Sequence, residues 1–195
     1  DRIPEPEVVD EESARDAMRR RLAGAGRWRA AVELRETHDP GRGSMDLVFH
    51  VVPGPPMSLE ARGAELPRKL VSTVRDLVRE GGATSDSLEA GAERIEVYLR
   101  AQGHREAVVR ATTEPRGPGE VVVYDLRPGP RASVSTVELR DADPLLLAGL
   151  RTQPGLPLDD VALQEDARLL VSRLEGRGHF EASVDPEVPE GGGRI

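Results

Sequence analysis

The chain has 195 residues, a formal net charge of −8 and 37% apolar residues, with one Trp, two Tyr and two Phe. That length allows one ordinary domain or two to three small ones, and its core must be aliphatic. The acidic balance, with no basic stripe interleaved with aromatics, excludes nucleic acid as the expected partner, and the absence of cysteine excludes disulfides, thiolate metal sites and cysteine nucleophiles.

No apolar run reaches the ~18–20 residues needed to span a bilayer, and no signal-peptide h-region is found at the N-terminus. Asp1–Val9 is too rich in proline and acid for confident secondary structure. A helical pattern follows, with Met18 and Leu22 on its apolar stripe and Arg19-Arg20-Arg21 on a solvated face, and Gly26 closes it. Trp28–Leu34 and Met45–Val52 read as the strands of a hairpin around the Pro/Gly turn 39–43. Pro53-Gly54-Pro55 leads into a strand at Met57–Arg62, and Pro67 opens a helix to Arg79.

The next helix carries Leu88, Ala92, Ile95 and Leu99 at i, i+4, i+7 and i+11, which makes one stripe. Asp86 and Glu89 stand at capping-box spacing, with Ser85 and Ser87 as rival caps. Gly103 stops this helix. A hairpin of Glu106–Ala111 and Val121–Leu126 surrounds the turn 115–119, and Pro128-Gly129-Pro130 closes it. A strand at Ala132–Leu139, a short helix at Pro144–Arg151, and a longer helix capped by Asp159 or Asp160 and stopped by Gly178 come next. Phe180–Val184 is the next strand, with a turn at 189–193, and Arg194-Ile195 stands where a last strand begins.

An offset of 75 organises this order. It carries Gly103-His104 onto Gly178-His179, the stripe Leu88, Ala92, Ile95 and Leu99 onto Leu163, Ala167, Leu170 and Leu174, and Gly54-Pro55 onto Gly129-Pro130. An earlier copy follows at an offset of 77, from Gly26 to Gly103. The unit is β-α-α-β-β, an α+β arrangement of a three-stranded mixed sheet with two helices on one face. The expected units are 1–54 (second helix and hairpin), 55–129 (complete) and 130–195 (lacking its last strand).

This unit resembles the POTRA (polypeptide-transport-associated) domain. The likeness rests on the Pro-Gly-Pro joint after an apolar strand, on Gln153–Asp159 before the second helix, and on Arg177-Gly178-His179-Phe180 leading into Val184. The family usually has an aromatic directly after the glycine, where this chain has His104 and His179. The resemblance, to the outer-membrane assembly factors BamA and TamA, implies a sheet ordered first, third, second strand. It implies a periplasmic array on a C-terminal membrane barrel that would lie downstream. The implied partners are unfolded outer-membrane protein clients and accessory periplasmic lipoproteins.

The second strand of each unit is then an edge that can receive an extended peptide. The candidate client-binding residues are Ala107, Val108, Val109, Arg110 and Ala111, and Ala182, Ser183, Val184 and Asp185. The candidate hinges are Pro53, Gly54 and Pro55, and Pro128, Gly129 and Pro130. No catalytic, cofactor or metal site is expected. His38, His50, His104 and His179 lack ligand spacing, and Asp159-Asp160 and Glu11-Glu12 sit at helix starts. Asp141-Ala142-Asp143 lacks the rest of a calcium loop, and Ser13, Ser85 and Ser87 lack a nucleophile elbow. A two-partner secretion transporter and a periplasmic division or cell-wall interaction protein are the competing readings.

Overall fold

The computed structural model describes residues 11–39, 41, 44–140 and 142–188. Asp1–Val9, Asp141, the turn 189–193 and Arg194-Ile195 lie outside the described residues, as does most of the turn at 39–43. The elements are α1 (Glu11–Gly24), β1 (Ala31–Asp39), β2 (Ser44–Val52), β3 (Met57–Arg62), α2 (Arg68–Glu80), α3 (Ser85–Ala101), β4 (Val108–Arg116), β5 (Gly119–Arg127), a 3₁₀ turn at Pro144–Leu147 and α4 (Asp160–Glu175).

Two compact units form: Asp1–Ala92 with Arg110–Tyr124, and Glu93–Val109 with Asp125–Ile195. The boundary runs within α3, β4 and β5, whereas the sequence repeat divides the chain near 54 and 129.

The mixed sheet β3-β5-β4 has the β-α-α-β-β order expected from the sequence, with the third strand of the unit in the middle. β5 occupies that place because it is apolar on both faces: Val121, Val122, Val123 and Tyr124 are consecutive and all buried. In the first unit α2 contributes Val74 and Val78 to the core. The Tyr124 hydroxyl donates to the Leu88 carbonyl of α3 at 3.1 Å. A Cβ on Gly91 would overlap that hydroxyl, so glycine is what lets the ring lie against α3. The hairpin β1-β2 is antiparallel, pairing Ala31 with Val52 through Asp39 with Ser44.

In the second unit the α3 stripe is buried at Ile95 and Leu99, and the α4 stripe at Ala167 and Leu170. Leu146, Leu150 and Leu170 form a cluster against which Leu139, Leu174 and Val184 pack. Asp166 of α4 is also buried, and its carboxylate accepts the N–H groups of Arg151 (3.0 Å) and Thr152 (2.7 Å). Burial alone works against its ionisation; the two amides outweigh that and hold its pKa below the usual carboxylate range.

Several expectations are corrected. The α3 cap is Thr84, not Asp86, Ser85 or Ser87: its hydroxyl accepts from the Ser87 N–H, and the Ser87 hydroxyl donates back to the Thr84 carbonyl. The helix expected at Pro144–Arg151 is one 3₁₀ turn, started by the Asp143 side chain accepting from Leu145. Ala132–Leu139 and Phe180–Val184 are not strands. Ser133 makes an isolated bridge to Pro157, and no described strand lies beside either stretch to form a ladder. The expected α4 cap does form: the Asp159 side chain accepts from Val161 and Ala162.

Candidate strand-binding edge and joints

The sheet order makes β4 an edge. N–H directions alternate along an antiparallel strand, so only every second residue faces away from β5. The Val109 N–H is one of these, because it donates to Glu96 Oε1 of α3 at 2.9 Å and not to the sheet. Ala111, Thr113 and Pro115 face the same way. Proline has no N–H, so among the described residues the open donors are those of Ala111 and Thr113, bracketed by Glu96 and Pro115. A carboxylate at one end and a proline at the other keep the edge short, a usual protection against unwanted pairing.

Of the sequence candidates, Val108–Ala111 lie on β4, with the Val108 side chain exposed and that of Val109 buried. Ala107 precedes the strand, is buried, and donates to the His104 carbonyl. Ala182, Ser183, Val184 and Asp185 lie in irregular backbone, and the structure brings them into no strand. Thr113 and Glu96 were not among the candidates. The proline at 115, which removes a donor from the strand, was the available signal.

Arginine-carboxylate pairs lie on the same sheet. Arg62 of β3 makes a two-pronged contact with Glu114 of β4 at 3.0 Å and reaches Glu60 at 2.9 Å, and Arg116 reaches Glu60 at 2.7 Å. Both carboxyls are held below their usual range, Glu60 by hydrogen bonds from Arg62 and Arg116 and Glu114 by that from Arg62. These groups are exposed, so the pairing is screened by water and salt.

The Pro-Gly-Pro segments are fixed at their glycines. Gly54 (φ +66°) gives its carbonyl to the Arg27 guanidinium, and a Cβ there would press on the Arg29 carbonyl. Three residues on, Met57 N–H donates to the Gly26 carbonyl at 2.7 Å. Arg29 binds Glu120 at 2.8 Å and the Ala83 carbonyl through two nitrogens.

The second joint repeats the pattern. Gly129 (φ +71°) accepts from His104 Nδ1 at 3.2 Å, and Ala132 N–H donates to the Gly103 carbonyl at 2.8 Å. Arg131 adds a bond to the Gln102 carbonyl, and Arg105 pairs with Asp160. His104 thus ties the end of α3 to the second joint.

Among the described residues no cluster of His, Cys, Asp or Glu could hold a metal ion, and no helix is long and apolar enough to cross a membrane.

No family model and no curated protein matches the chain. Solved structures do. The POTRA3-5 fragment of BamA from Haemophilus influenzae is 16% identical over 94% of this chain and 76% of that one, with a TM-score of 0.36. POTRA1-2 of the periplasmic domain of Omp85 from Anabaena is 20% identical over 69% and 86%, with a TM-score of 0.40. BamA from Haemophilus ducreyi lacking POTRA domains 1–3 is 24% identical over 69% and 27%, with a TM-score of 0.41. The structural neighbours of this chain are POTRA regions of BamA and Omp85 proteins, at low identity and low TM-score.

Proposed function

We propose that the chain is a periplasmic POTRA region of an outer-membrane β-barrel assembly or translocation protein, a binding scaffold and not an enzyme. It receives unfolded outer-membrane protein clients by strand addition and docks accessory periplasmic lipoproteins. The observation that supports this most is the sheet order β3-β5-β4, which leaves β4 with open backbone donors at Ala111 and Thr113. Backbone pairing is indifferent to client sequence, which suits a receiver of many chains. Glu96 sets the register by occupying the first outward donor, at Val109.

The test is site-specific photocrosslinking from Thr113 in cells making the full protein, with outer-membrane clients as the captured species. Thr113→Pro removes an outward N–H without touching the β5 ladder and is expected to lower capture from Ala111 severalfold. Glu96→Ala frees the Val109 donor and is expected to extend capture toward residue 109. Undiminished capture in a folded Thr113→Pro protein rejects the edge as the receiving site.

A further inference from the structure

Side chains alternate between the two faces of a strand. On β4, Val109, Ala111 and Thr113 share one face and are buried or half-buried, whereas Val108, Arg110 and Thr112 share the other and are exposed. The exposed face also carries Glu114 and Arg116, and both are already paired with β3. Arg62 donates to the two Glu114 oxygens at 3.0 Å, and Arg116 donates to Glu60 at 2.7 Å. Charge pairing thus runs from strand to strand on this face. Arg110 continues the row toward the start of β4, yet among the described residues its guanidinium has no carboxylate or carbonyl partner.

Arg110 stands between Val109, whose outward N–H is filled by Glu96, and Ala111, whose outward N–H is open. The N–H and C=O of Arg110 itself point to β5. A strand added antiparallel along the outer side therefore places one residue opposite Arg110 in a non-hydrogen-bonded pair. In such a pair the Cα atoms are about 4.5 Å apart and the side chains come closest. Opposite charges at that distance attract, and like charges repel.

We infer that Arg110 is the specificity-determining residue of the β4 edge, and that the segment it favours is an extended strand with Asp or Glu opposite it. The inference rests on the proposed role of β4 as a receiving edge and names the client chemistry that this edge prefers. Backbone pairing at Ala111 and Thr113 is indifferent to side chains, so it cannot grade the strands it admits. Arg110 grades them by one side chain, and it selects among registers two residues apart, because only one of them brings the acid opposite the guanidinium. The field of the whole chain acts the other way: a net charge of −8 repels an acidic segment. A preference for acid must then come from a local cation, and among the described residues Arg110 is the unpaired one on β4.

The test uses short acetylated peptides of alternating Thr and Val with Asp, Ser or Lys at the centre. They are titrated to millimolar concentration into the ¹⁵N-labelled chain, with the Ala111 and Thr113 amides as the readout. The Asp peptide is expected to bind about two- to fivefold more tightly than the Ser peptide, and the Lys peptide more weakly than either. Arg110→Glu is expected to invert that order and Arg110→Ser to erase it. In about 1 M salt, where charges are screened beyond about 3 Å, the wild-type differences are expected to shrink. If the peptides move both amides with equal affinity in the wild type, or if Arg110→Glu keeps the wild-type order, the inference is overturned and the edge stands. If no peptide moves either amide, the edge itself is rejected and the role of Arg110 falls with it.

Discussion

Gly91 and Tyr124 form a pair that only their joint geometry explains. Alanine is the better helix former, by about 1 kcal/mol. Gly91→Ala is nevertheless expected to destabilise by about 1–3 kcal/mol, because the new methyl overpacks against a fully buried ring. The midpoint of urea unfolding measures this. The same burial pushes the Tyr124 hydroxyl up to about 12 from its ordinary value near 10. The unfolded chain therefore loses this proton first. Its contribution is complete below pH 10 and disappears as pH rises toward 12. Tyr124→Phe should flatten that part of the stability curve, in proportion to one proton.

Asp166 has the opposite sign. Its folded pKa is depressed, so its contribution is present above about pH 4 and is lost as pH falls through the folded value. Asp166→Asn should weaken stability at neutral pH by about 1–3 kcal/mol, since one amide acceptor replaces a carboxylate that serves two N–H groups. It should also flatten the acid limb. An unchanged acid limb in that variant contradicts this assignment.

Among the elements, the joints are better described as clamps than as free hinges, because their glycine carbonyls are held by side chains from the preceding helix end. Arg27 tests this at the first joint, since its guanidinium holds the Gly54 carbonyl. It lies beside Trp28, the single tryptophan, which is 6% exposed. Arg27→Ala removes that bond and is expected to shift Trp28 emission to longer wavelength and raise its quenching by acrylamide. A folded Arg27→Ala protein with unaltered emission contradicts the clamp. Glu114→Gln, in the exposed pairs across β3 and β4, should leave the unfolding midpoint unchanged, because such pairs are individually weak in water.

At the scale of the whole molecule, the repeat was legible because it rests on backbone punctuation. Glycines at positive φ follow α1, α3 and α4 where the sequence placed them, and β3 occupies Met57–Arg62 as expected. The α3 stripe was legible from its spacing, and Ile95 and Leu99 are buried. α1 follows the same spacing, yet Met18 is 37% exposed, because periodicity states which face is apolar and not what covers it. The strands expected at Ala132–Leu139 and Phe180–Val184 failed for a related reason. Their composition suits a strand, but a strand also needs a neighbour, and that is not a local property. Glu96 on the Val109 amide, Arg29 on Ala83 and Asp166 on the 151–152 backbone each join distant stretches, so nothing in their local spacing announced them.

The edge at β4 is tested most directly by residue-resolved hydrogen exchange along residues 109–114, with and without an unfolded outer-membrane client segment. The expected pattern without client is slow exchange at Arg110, Thr112 and Glu114, which face β5, slow exchange at Val109 behind Glu96, and fast exchange at Ala111 and Thr113. Added client should slow Ala111 and Thr113 alone. Uniform protection along β4 before client is added, or no change at those two amides afterwards, would contradict it.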